Sequence, residues 1–155
     1  MPLSTIVVNA LNTLVSLGIM MVILVIFGIP LTLQVLLLPV WLLLALILGF
    51  GIGLIGAAYS VTYRDVGFAT PILISLLLYL SPVAYSIEAV PQKLKDLYLL
   101  NPVATILEGC RWSVLGGSYL PPAWAIAYTV VFSVAMLLIG LVVFTRREWG
   151  FADVI

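Results

Sequence analysis

Glu108 and Arg111 are the charged residues of this sequence whose position most invites chemistry. They lie three apart inside Asn101–Gly117, a stretch that is otherwise largely apolar. In a helix that spacing puts both side chains on one face, within reach of each other. Two readings follow. The pair is either a local ion pair that lets a short helix rest at a membrane boundary, or a working site at membrane depth, where ionisable side chains are kept for function. The stretch reads as a helix, because Asn101 can cap it, Pro102 suits the first helical position and Gly116-Gly117 end it. It is too short to cross a bilayer, yet long apolar runs flank it on both sides.

Little else here could catalyse. Cys110 is the single cysteine and there is no histidine. A disulfide framework, a cysteine-based zinc site and histidine-based triads or metal sites are therefore excluded. The acidic residues are scattered at loops and ends. Gly51-x-Gly53-x-x-Gly56 matches the dinucleotide fingerprint literally, but that motif needs a strand before it and a helix opening after it. Here it lies inside a long apolar run. No Gly-x-x-x-x-Gly-Lys-Ser/Thr loop is present either, so the chain reads as no enzyme by itself and as binding no cofactor.

The elements that position these residues belong to a membrane. Hydrophobic residues make up 65% of the 155-residue chain and charged ones 8%, against roughly 25% charged in a soluble domain. Mean hydropathy is +1.33. No charged side chain precedes Arg64, and about 20 apolar residues cross the hydrocarbon, so residues 1–63 hold two spans. No Lys or Arg precedes the first run, so the start does not read as a cleavable signal peptide. With zero net charge there is no nucleic-acid footprint. The expected fold is all-α and integral to the membrane, with four spans and a short re-entrant helical pair between the third and fourth.

Taken in order, the spans are expected at about 3–27, 33–59, 66–85 and 123–144, with re-entrant or interfacial helices at about 91–117. Asn9, Asn12, Thr13 and Ser16 fall near one face of the first, for hydrogen bonds to a neighbouring helix or for a polar conduit. Gly49, Gly53 and Ala57 recur every fourth residue of the second, a small-residue face that lets helices approach closely. Tyr63, Arg64 and Asp65 form a short polar connection at the water boundary. Pro82 ends or kinks the third span, and Tyr79 and Tyr85 bracket that break. The connection from Ser86 to Pro122 is too apolar to lie in water, which is the argument for two helices that dip in and return. Arg146 and Arg147 at the last span's end favour a cytoplasmic carboxy end.

Tyr63-Arg-Asp-Val66, Leu80-Ser-Pro-Val-Ala-Tyr85, Leu100-Asn-Pro-Val-Ala104, Glu108-Gly-Cys-Arg-Trp112 and Phe151-Ala-Asp-Val-Ile155 together carry a resemblance. Their order and spacing are similar to those in permease subunits of type-2 ABC exporters of O-antigen, capsular polysaccharide or teichoic acid. The resemblance covers essentially the whole chain. Family members are longer at the front, so the four spans would match the family's third to sixth, with the ATPase-coupling elements in the part not matched.

The resemblance implies a single, partial transmembrane domain over 1–155 in the bacterial cytoplasmic (inner) membrane, multi-pass, with Arg64 and the carboxy end in the cytoplasm. It implies a homodimer with a second permease copy, an ABC ATP-binding subunit that uses ATP and Mg, and a lipid-linked glycan as substrate. It makes the third span a conduit wall, where Tyr79 and Tyr85 either offer ring faces to passing sugars or anchor at the interface. Arg64 and Asp65 either orient the helix ends or touch the ATPase. Export of a drug or lipid, and a non-transporting scaffold built on the Gly49/Gly53/Ala57 face, are the alternatives.

Overall fold

The computed structural model describes residues 2–28, 33–60, 63, 65–81, 87, 90–116 and 119–151. Among these the secondary structure is helical throughout: α1 (Pro2–Ile26), a short 3-10 helix (Leu33–Leu37) leading into α2 (Leu38–Ser60), α3 (Asp65–Leu80), α4 (Gln92–Leu99), α5 (Pro102–Leu115) and α6 (Ala123–Phe151). Among the described residues two stretches are long and apolar enough to cross a membrane by length and composition, Leu33–Ser60 and Ala123–Arg147.

Helix ends follow local chemistry. The last turn of α1 closes through the Phe27 N–H to Ile23 O (3.0 Å), and Gly28 follows at φ +68°, a left-handed conformation that costs glycine little. The described helix of α3 ends at Leu80, short of the expected Tyr85. Pro82 disfavours helical backbone at the residue before it, and Ser81 is already a turn. In the opposite sense, α6 runs through the expected stop at Thr145–Trp149 to Phe151. Thr145 Oγ1 donates to Leu141 O (2.9 Å) within the helix, and no Gly or Pro interrupts before Gly150.

The seam of the molecule is α2 on α6, its most extensive contact among the described elements. The buried residues of α2, namely Leu38, Trp41, Leu44, Leu48, Gly51 and Ala58, fall on one face. From α6, Ile126, Phe132 and Met136 pack on the cluster that includes Trp41, Leu44 and Leu48. At Gly51 a Cβ would lie 2.6 Å from Leu137 N, and at Gly140 it would lie 2.5 Å from Gly51 O. Backbone touches backbone there. Within the chain this close approach is made by Gly51, not by the expected Gly49/Gly53/Ala57 face. Gly49 and Gly53 have nothing within 4 Å of a built Cβ, and Ala57 is exposed. The reason is distal, since Gly140 supplies the matching small residue and only the Gly51 face meets it.

Gly51 meets Leu137 and Gly140, and Tyr59 meets Arg147, so α2 and α6 run parallel. Chain leaving the end of α2 must therefore return to the other end before α6 can begin, and α3 lies on that path. On the starting end of α2, Ile106 of α5 joins a core with Trp41, Leu44 and Leu48. Val114 joins another with Leu38 and Leu24. From Leu38 to Leu48 the rise is about 15 Å at 1.5 Å per residue. Helix α5 thus lies against the first half of α2.

Candidate functional site

The site is built on α5, and each end of that helix is capped as its sequence dictates. Asn101 Oδ1 accepts from the Val103 N–H at 3.0 Å, Pro102 takes the first position, and Gly116 closes the helix at φ 60° with its N–H on Trp112 O (3.1 Å). Gly109 lets the helix settle on Trp41, because a Cβ there would overlap the indole ring.

The ionisable residues flank that contact, Glu108 one residue before Gly109 and Arg111 two after it. Glu108 is 2% exposed, and its Oε1 accepts from Arg111 Nη1 at 2.6 Å. The Arg111 side chain remains 28% exposed. The same Oε1 accepts from the Ile87 N–H at 2.8 Å, across 21 residues of chain. An isolated buried carboxylate is costly, and pairing plus hydrogen bonding is what makes burial tolerable. The local ion pair is therefore present, and Glu108 also does something that pairing alone does not require. It holds the segment after α3.

Asn101 has a second bond as well. Its Nδ2 donates to Ser81 Oγ at 3.0 Å, and Ser81 is 1% exposed. Around these contacts Ile87, Val90, Leu99 and Ala125 form a buried cluster flanked by Tyr98 and Tyr119. Lys95 Nζ lies 5.7 Å from the Tyr119 ring centroid. Burial, and then the negative charges of Glu108 and Asp96, push the Tyr119 hydroxyl above its ordinary pKa. Burial pushes the Cys110 thiol up to about 11, which makes it a weak nucleophile at neutral pH.

A second group forms at the far end of α2. Tyr59 and Tyr63 stack at 6.4 Å, and the Arg147 guanidinium sits 4.1 Å over the Tyr59 ring. Asp65 is exposed in the first turn of α3, where a carboxylate is favoured by the helix dipole. The structure thus joins Tyr63 to Tyr59, and through Tyr59 to the end of α6. Arg64 and Tyr85 lie outside the described residues, as does the Tyr79 side chain. Among the described residues, no three of His, Cys, Asp and Glu gather where they could hold a metal ion.

Sequence reasoning found Glu108, Arg111 and the Asn101 cap. It missed Ile87, Ser81, Trp41 beneath Gly109, and the Arg147–Tyr59 contact. For Trp41 the glycine between Glu108 and Cys110 was an available signal, since an interior helix glycine marks close approach.

Comparison with known proteins adds a family. A family model described as ABC-2 type transporter matches residues 1–115. The polysialic acid transport protein KpsM of Escherichia coli is 30% identical over 105 residues, 68% of this chain and 40% of the relative. The O-antigen export system permease protein RfbA of Klebsiella pneumoniae is 24% identical over 155 residues, 99% of this chain and 59% of the relative. The inner membrane transport permease YadH of Escherichia coli (strain K12) is 31% identical over 87 residues, 56% of this chain and 34% of the relative. The chain spans between a third and three-fifths of the length of these relatives. No solved structure matches.

Proposed function

Since this chain belongs to the ABC-2 type transporter family, we propose that it is the permease component of an ATP-driven exporter of polysaccharide or lipid-linked glycan. The observation that carries this reading is the similarity to an O-antigen export permease along 99% of the chain. The shorter match to a polysialic acid transport protein supports the same substrate class.

In this reading α1, α2, α3 and α6 cross the bacterial inner membrane. The parallel course of α2 and α6 supports a return crossing by α3. The packing of α5 against the first half of α2 supports a helical pair, α4 and α5, that enters and leaves from one side. The end bearing Tyr63 and Arg147 faces the cytoplasm, as basic residues at a helix end favour. Tyr79 and Tyr85 border the conduit. A second copy of the permease completes that conduit, with the open Gly49/Gly53/Ala57 face available for helix contact. ATP and Mg act in a separate ATP-binding subunit, since this sequence carries no phosphate-binding loop of its own.

A wider substrate range is the second reading. It is favoured by the similarity to YadH, a relative named only as a transport permease. Both readings share one test. The full natural polypeptide, tagged and expressed with the ATP-binding subunits of its own genome, should recover one of them from detergent extracts. Recovery of none contradicts both. Cell-surface glycan lost on deletion and restored by the gene then separates the first from the second.

A further inference from the structure

We propose that Asn101 and Glu108 are positioning residues that fasten the chain beyond α3 to α5 at two points, Ser81 and Ile87. The described side chains of α3 from Val66 to Leu76 are exposed or half-buried, with Phe68 76% exposed and Ile72 63%. Beyond its end, Ser81 and Ile87 are both buried, and each makes a hydrogen bond to a side chain of the α5 segment.

The two attachments differ in kind. At Asn101 both ends of the amide are committed, Oδ1 to the α5 cap and Nδ2 to Ser81 Oγ, so the cap itself orients the donor. At Glu108 one oxygen serves both Arg111 and the Ile87 N–H. The carboxylate is buried while its guanidinium partner stays partly in contact with solvent. An ion pair alone would be met as well at the surface, whereas reaching Ile87 requires the acceptor to be inside. The anchoring residues lie seven apart, about 10 Å along a helix at 1.5 Å per residue. Ser81 follows the last residue of α3 directly, so the Asn101 bond bears on that end of the helix, and the Glu108 bond holds the chain a second time at Ile87. The fastening stands on geometry alone and is independent of the transport reading.

The test is a distance measurement, which can fail independently of any export assay. Spin labels are placed at Leu76→Cys on α3 and Leu115→Cys on α5, both exposed positions, in a Cys110→Ala chain reconstituted in lipid nanodiscs. A control pair at Phe50→Cys and Val131→Cys reports on the α2–α6 seam. The unaltered attachments give one narrow α3–α5 distance peak. Ser81→Ala, which leaves the α5 cap intact, broadens it, and Ser81→Ala with Glu108→Leu abolishes it. The control peak stays unchanged in both. Glu108→Gln keeps an acceptor for the Ile87 N–H and keeps the narrow peak. A narrow peak surviving in the double variant overturns the proposal. So does broadening in Glu108→Gln equal to that in Glu108→Leu, because the charge pair would then be the fastener. Should Glu108→Leu disturb the control pair, Ser81→Ala alone decides, and an unchanged peak there overturns it too.

Discussion

Cys110 stands between the two charged residues of α5, and its environment gives the most direct prediction at the residue scale. Burial raises its thiol from 9.0 to about 11. Because the thiolate is the nucleophile, maleimide labelling of the folded protein should be slow at pH 7. Its rate should rise about tenfold per pH unit up to pH 10, with no plateau near the ordinary thiol value. A plateau between pH 8 and 9 would contradict the burial. The linkage has a sign. Between 9 and about 11 the unfolded chain releases the thiol proton while the folded chain keeps it, so stability falls as pH rises through that window. Thermal midpoints of the native protein should decline there more steeply than those of Cys110→Ala. At this scale the Glu108–Arg111 pair was legible, because a spacing of three in a helix is enough to join two side chains. The Ile87 N–H was not. A backbone donor 21 residues away carries no mark in the sequence, and Asn101 read as a cap conceals the second bond its amide can make.

At the scale of elements, the helices were legible from apolar length and from caps, and their contacts were not. Three small residues at a spacing of four pointed to Gly49, Gly53 and Ala57, while the helix contact inside the chain uses Gly51 against Gly140. Spacing reveals a face and leaves its partner unspecified. Gly140→Val should therefore separate α2 from α6 and destabilise the fold by about 1–3 kcal/mol or more, the range for overpacking. Gly53→Leu should leave the chain's own fold intact, as nothing lies within 4 Å of a Cβ there. Unfolding in denaturant, followed by Trp fluorescence, compares the two. Equal losses in both variants would mean that the seam does not run through Gly51. The α3 boundary shows another limit. Pro82 marked a break, yet a proline ends some helices and bends others. The overlong α6 has a similar cause, since Arg and Glu suit a helix as well as a membrane boundary.

At the scale of the whole molecule, composition alone established the membrane class, and the family followed from short motifs whose chemistry is modest one by one. Sidedness rested on Arg146 and Arg147 at the end of the last span, because the basic residues otherwise divide evenly between the two sets of connections. The fold brings Tyr59 and Arg147 to one end of the α2–α6 pair and lays α5 against the first half of α2. In the proposed topology α2 and α6 cross in the same direction, α3 returns, and α4 and α5 dip from the outer side. Single cysteines in a Cys110→Ala chain test it, at Lys95 on α4, Tyr63 after α2 and Arg146 on α6, probed in intact cells with a membrane-impermeant maleimide. The account predicts labelling at Lys95→Cys from outside, and labelling at Tyr63→Cys and Arg146→Cys only after the membrane is opened. Labelling of Lys95→Cys and Tyr63→Cys from the same side would contradict it.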